Sequence, residues 1–257
     1  MTAPHSLSPL WDALLLDGHP CPVVAVVGGG GKSSLIHRLG AEAAALGRGA
    51  VLTGATRFTQ APIGAPLPEV VTDEGSLLDA VALALKTEQV VVASSGRLPK
   101  GRLAGITSAS IEALAAAPSV GLMAVHADGS RQRPFKAPGE SEPLIPEAAT
   151  HVVAVVGLDA LGAPIDEAHV HRPEAVRVVV GEATHSDASV IARTMVDARG
   201  GRKQVSDREF TVVVNKCATD PEAAESLARA ILEAGAERIV MTELRDAAEP
   251  VRGVFTA

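Results

Sequence analysis

The stretch Val23 to Ser34, VVAVVGGGGKSS, constrains this chain more than any other. The β-branched and small apolar run Val23 to Val27 has the pattern of a strand buried on both faces. Four glycines follow. Lys32, Ser33 and Ser34 then open a segment with helical spacing at Leu35, Ile36, Leu39, Ala43 and Leu46. Glycines allow the backbone to turn and bring its N–H groups close to an anion, and a helix N-terminus adds partial positive charge. The expected roles follow from a phosphate-binding loop. Gly28, Gly29, Gly30 and Gly31 cradle phosphates with Ser34 beside them, Lys32 reaches the β/γ-phosphates, and the Ser33 hydroxyl meets Mg²⁺. The spacing is compressed, because Val26 stands where the usual pattern has its first glycine.

A phosphate loop needs an acid for its metal. The apolar run Val120 to Val125 leads into His126-Ala127-Asp128-Gly129-Ser130-Arg131. An aspartate just beyond a hydrophobic strand suits a hard oxygen ligand for Mg²⁺, so Asp128 is the expected metal partner. His126, a lone histidine near a strand end, reads as structural. The proline-stiffened loop from Arg131 to Pro146 carries Arg131, Arg133 and Lys136, then Glu140 and Glu142. Its cations suit transferring charge and its acids a second substrate. Lys32, Asp128 and Arg131 are the expected catalytic set.

Other strand tips supply weaker candidates. Thr53, Thr56 and Arg57 follow the short strand Ala50 to Thr53, where ligands gather in parallel sheets. His169 and His171, two apart, would share a strand face, but no third metal ligand lies close in sequence, so His171 and Arg172 are kept as substrate candidates. Asn215-Lys216 after the strand Phe210 to Val214 has the form of a guanine-reading motif, yet Ala218 occupies the place of its aspartate. ATP and GTP both remain open.

About seven β-branched strands alternate with helical segments. This gives an α/β fold, a three-layer P-loop NTPase-like architecture with a mainly parallel sheet. Residues 1–257 read as one nucleotide-binding domain with an excursion at 160–205. Asp187 and Asp220 are expected helix caps, Asp73 another, and 64–68 a proline-rich loop. A net charge of −7 and 2% aromatic residues argue against nucleic-acid binding. No apolar run approaches membrane-spanning length, and Cys21 and Cys217 form no disulfide framework, so a reduced, cytoplasmic setting is expected.

These motifs together resemble the selenium-dependent hydroxylase accessory proteins, the YqeC-type P-loop family. The carrying residues are GGGGKSS at Gly28 to Ser34, ADGSR at Ala127 to Arg131 and RPFKAP at Arg133 to Pro138. SEPLIP at Ser141 to Pro146, VVGLDALG at Val155 to Gly162, VHRPE at Val170 to Glu174 and VNK at Val214 to Lys216 complete the match. The chain departs from the family's EADG pattern at His126. The resemblance implies a role in maturing a molybdenum or selenium-containing enzyme or its cofactor, with a molybdenum hydroxylase or its pterin as partner. A small-molecule kinase, a ligase-like activator or a nucleotide-gated chaperone for an apo-enzyme are the competing expectations.

Overall fold

The computed structural model describes residues 9–60, 66–246 and 248–257. The expected proline-rich loop at 64–68 lies partly outside them. Nine strands form one sheet: β1 Val23–Gly28, β2 Ala50–Gly54, β3 Glu69–Val71, β4 Val90–Ser94, β5 Leu122–His126, β6 His151–Gly157, β7 Glu209–Asn215, β8 Arg238–Thr242 and β9 Val251–Thr256. Their order is β9-β8-β7-β6-β1-β5-β2-β4-β3. Every pairing is parallel except that of β8 with β9. The fold is thus the expected α/β architecture with a mainly parallel sheet.

The glycine-loop strand β1 lies in the middle, between β5 and β6. Residue alternation along each strand divides the core between two faces. Val24 and Val26 pack with Leu10, Trp11 and Leu14 around α1 (Pro9–Ala13) and with Leu35, Ile36 and Leu39 of α2 (Lys32–Ala45). Val23, Ala25 and Val27 face the opposite layer: α3 (Leu77–Ala84), α4 (Ser108–Ala115), α5 (Pro173–Val180), α6 (Ala188–Val196) and α7 (Pro221–Glu233). Helices on both faces explain why the central strands read as unbroken apolar runs.

Caps follow the sequence closely. Asp187 accepts from the Val190 N–H and Asp220 from the Ala223 N–H, with Pro221 in the first turn. At α3 the cap position is Ser76, and Asp73 instead accepts the Ser76 N–H at 3.2 Å. The 160–205 segment connects β6 to β7, and its Ile165, Val170, Val176, Ile191 and Met195 share a core cluster with Val156 and Val212. Two short pairings add local order. Phe135–Lys136 runs parallel to Val170–His171, and Arg97–Leu98 antiparallel to Arg102–Leu103.

Candidate functional site

The glycine loop begins later than the usual pattern because Val26 is inside β1, in register with His126 on one side and Val153 on the other. Beyond it, Gly28 and Gly30 take φ of +91° and +78°, which an L side chain resists. Close approach adds a second requirement. A Cβ on Gly29 would lie 2.5 Å from the Arg133 carbonyl, and one on Gly30 2.2 Å from the Gly157 nitrogen.

Those contacts carry hydrogen bonds. The Gly28 N–H donates to Asp128 Oδ2 at 3.0 Å, the Gly29 N–H to the Val155 carbonyl at 2.8 Å, and the Gly30 N–H to the Arg133 carbonyl at 3.1 Å. The Gly157 N–H donates to the Pro134 carbonyl at 2.9 Å. Residues 133–134 therefore lie across the loop as a strap, and three amides expected to face phosphates face protein acceptors here. What points outward is the helix end. The first-turn amides of Lys32 to Ser34 have no intrahelical acceptor, and the positive end of the α2 dipole lies there.

A chain of buried charges fills the space under the strap. Lys32 Nζ donates to the Gly28 carbonyl and lies 3.1 Å from Asp128 Oδ1. Asp128 Oδ2 faces Lys136 Nζ at 2.9 Å. Lys136 Nζ also donates to Glu142 Oε2 at 2.6 Å and to the Gly129 carbonyl at 2.8 Å, and its side chain is fully buried. Glu142 Oε2 accepts from Arg172 as well. Burial lowers the Lys32 pKa against the opposing pull of Asp128. Burial raises the Glu142 carboxyl, but hydrogen bonds from Arg172 and Lys136 outweigh it and hold the group at about 2. The Leu144 N–H donates to the Ala127 carbonyl at 2.8 Å, pinning the far end of the loop beside Asp128.

The structure thus brings together Gly28, Lys32, Asp128, Lys136, Glu142 and Arg172. The signal for the last two was indirect, since they lie 14 and 44 residues past Asp128 in sequence. The parallel pairing of Lys136 with His171 is what carries Arg172 to Glu142. The other candidates are placed differently. Arg131 is exposed with φ +48°, and Arg57 is exposed. Thr56 is half-buried, its hydroxyl 3.4 Å from the Arg57 carbonyl. Arg133 donates to the Glu167 carbonyl at 2.9 Å, anchoring the strap to the 160–205 segment. The Thr53 hydroxyl is buried and donates to the Ala93 carbonyl at 2.8 Å. His171 is held neutral to about 4, by burial first and then by Lys136 and Arg172. His169 pairs with Asp166.

Asn215 is a loop support. Its Nδ2 donates to the Gly30 carbonyl at 2.8 Å, while its Oδ1 accepts from the Thr242 hydroxyl and the Leu244 N–H, each at 3.1 Å. These bonds use both acceptor positions of Oδ1 and one of the two Nδ2 hydrogens. Lys216, at φ +68°, pairs with Asp159. His126 stands at the end of β5. It is 6% exposed, stacks on Phe58 with ring centroids 5.4 Å apart, and is held neutral, to about 3, by burial and then by nearby Lys32 and His37.

The family model described as "YqeC protein" matches residues 24–174. That is more than half of the 257 residues. The chain belongs to the YqeC family. It is 34% identical over 150 residues to the uncharacterized protein YqeC of Escherichia coli strain K12, a match covering 58% of this chain and 57% of the relative. The aligned part thus spans little more than half the length of that relative. The YqeC match contains every member of the buried ion chain, from Lys32 to Arg172, whereas Asn215 and Lys216 lie beyond it.

The donor set also bears on the metal. Asp128 offers hard carboxylate oxygens and Ser33 a hydroxyl in the first turn of α2. Among the described residues no group of three or more His, Cys, Asp or Glu side chains could hold a metal ion. Mg²⁺ is commonly bound through one or two carboxylates, waters and substrate phosphates. The donor types would suit Mg²⁺ arriving with a phosphate ligand, with Asp128 and Ser33 as the side chains that would hold it once Asp128 is released from Lys32. Among the described residues no helix is long and apolar enough to cross a membrane.

Proposed function

We propose that this YqeC-family chain is a Mg²⁺-dependent P-loop protein that binds a nucleoside triphosphate. In this reading it uses the nucleotide, by hydrolysis or by phosphoryl or nucleotidyl transfer, to assist maturation of a molybdenum cofactor or a selenium-dependent molybdenum hydroxylase. The observation that carries the nucleotide reading is the buried Lys32–Asp128–Lys136 chain at the open end of α2. A buried lysine is costly without an anion, and here it is already paired with one. A polyphosphate would take the place of Asp128 on Lys32, and the released carboxylate would turn to Mg²⁺ or its waters. Lys136, not Arg131, is the second cation the geometry favours, because it touches the same carboxylate. The metal would neutralise phosphate charge, and Lys32 with the α2 amides would orient the phosphates.

The maturation role rests on family membership and on the resemblance in sequence. The test is calorimetric titration of the purified protein with Mg-ATP and Mg-GTP. Lys32→Ala is expected to weaken binding about tenfold or more, on the order of 1.4 kcal/mol or above. Equal affinity in wild type and Lys32→Ala would overturn the reading.

A further inference from the structure

Four residues after Ser33, on the same face of α2, stands His37. Helical side chains lean toward the N-terminus, so His37 is directed back along the face that carries Ser33. Its Nε2 atom is buried without a hydrogen-bond partner. An orphaned buried nitrogen of this kind costs about 1–3 kcal/mol and calls for an explanation.

His37 borders a cleft of about 200 Å³ at the C-terminal ends of β2 and β5, part of it open to solvent. The wall opposite includes His126 and Phe58, whose rings are stacked with an interplanar angle of 23°. Gln60 stands at the same cleft. Its Nε2 is engaged by Glu69, which leaves its Oε1 as an acceptor. Thr53 contributes little polarity, because its hydroxyl is committed to Ala93. Leu52 and Ile36 complete an apolar floor. Among the described residues no Asp, Glu, Lys or Arg lines the cleft. A cation would face the positive end of α2 and nearby Lys32 with no carboxylate among the lining side chains, and an anion would find no cationic side chain in that lining to pair with. The enclosed room within it is only about 10 Å³, close to that of one water, so it suits a single small group such as one hydroxyl of a larger molecule.

We infer that this cleft is a subsite for an uncharged, hydroxyl-bearing group of the second substrate, held by His37 Nε2 and Gln60 Oε1 against the Phe58–His126 wall. Calling the ligand a second substrate rests on the nucleotide reading, which places phosphates one helical turn away at Ser33. The cleft's chemistry stands without it.

The test is titration of the full chain, labelled with ¹⁵N at histidine, with ethanol, acetate and ethylammonium at fixed pH. Ethanol is expected to give a saturable shift of the His37 and His126 ring nitrogens. The buried His151 and the exposed His185, remote in sequence from the cleft, should stay still. Gln60→Leu, a half-buried rim position, should weaken the ethanol response several-fold. Uniform drift of all histidines, or a saturable response to acetate or ethylammonium in preference to ethanol, overturns the inference. Mg-ATP is titrated into the same sample. ATP binding with a silent His37 sinks the cleft assignment and leaves the nucleotide reading standing. An ethanol response without ATP binding supports the cleft and sinks the nucleotide reading.

Discussion

Replacing Glu142 by glutamine keeps its shape, removes its charge and tests the buried ion chain directly. In the native protein its carboxyl is held at about 2, against an ordinary value of 4.5. Burial opposes this, and the hydrogen bonds from Arg172 and Lys136 overcome it. The side chain is only 14% exposed, so solvent screening is modest. A depression of this size corresponds to about 3 kcal/mol of stability near neutral pH. The sign follows from the direction of the shift. A depressed carboxyl stabilises fully above its unfolded value and loses that contribution as pH falls toward its folded one. Urea unfolding followed by far-UV circular dichroism and by the fluorescence of Trp11, the single tryptophan, measures the difference. Glu142→Gln is expected to be less stable by about 3 kcal/mol near pH 7, and by nearly as much near pH 5. The gap should narrow by roughly 2 kcal/mol near pH 3, where wild-type Glu142 has lost most of its advantage. Taking the difference between the two proteins cancels the other carboxylates. No gap near pH 7, or a gap that stays constant down to pH 3, would refute the claim that Lys136 and Arg172 hold Glu142 ionised.

Two further perturbations test the loop itself. Asn215→Ala leaves the Gly30 carbonyl, the Thr242 hydroxyl and the Leu244 N–H without their partner, and should cost roughly 2–3 kcal/mol in urea unfolding and weaken Mg-nucleotide binding. An unchanged unfolding midpoint would show that Asn215 does not brace the loop. Gly30→Ala forces a Cβ to 2.2 Å from a backbone nitrogen at positive φ and should cost about 3 kcal/mol or more, whereas Gly129→Ala meets nothing within 4 Å and should cost less than ~1 kcal/mol. Equal melting temperatures for the two alanine variants would contradict the strap geometry.

How much of this was legible in the sequence depended on how local the signal was. The runs around Val23, Val120 and His151 were legible as buried strands because both of their faces are covered, which leaves no polar alternation to confuse the reading. Asp187 and Asp220 were legible because a cap acts within three residues. β3 was not, since three half-buried residues at a sheet edge carry almost no pattern. The Arg131 to Pro146 stretch read as a proline-stiffened loop whose cations suit transferring charge and whose acids suit a second substrate. Its order comes from partners far away in sequence, Glu167 for Arg133, Val170 for Phe135 and Arg172 for Glu142. The same distance hid the fate of the glycine amides, whose acceptors are Val155 and Arg133. Asn215 was singled out for its place after a strand, but its bonds to Gly30 and Leu244 depend on strand order, which no local motif encodes.

The ion chain also constrains how a nucleotide could enter. Lys32, Lys136 and Arg172 face two carboxylates, Asp128 and Glu142, so the buried cluster carries an excess of one positive charge beside the positive end of α2. Arg172 is 31% exposed, so that excess is only partly buried, but burial still works against the charge on Lys32, and an incoming anion offsets this. On the proposed function, a polyphosphate would exchange with Asp128 at Lys32, and Asp128 would keep Lys136 as its partner and, with Ser33, would be placed to hold Mg²⁺. Neither the lysine nor the aspartate passes through an unpaired buried state, which would cost several kcal/mol. The strap adds a condition. The Gly29 and Gly30 amides can turn to phosphate only if Val155 and Arg133 release them, and for Gly30 the release must come from residues 133–134 moving away. Arg133 is tied in turn to Glu167, so movement of the strap is coupled to the 160–205 segment that joins β6 to β7. A nucleotide that engages only the first turn of α2 leaves these amides protected from hydrogen exchange. One that is cradled by the glycines exposes the strap and the 160–205 segment together, and exchange measured with and without Mg-ATP separates the two modes.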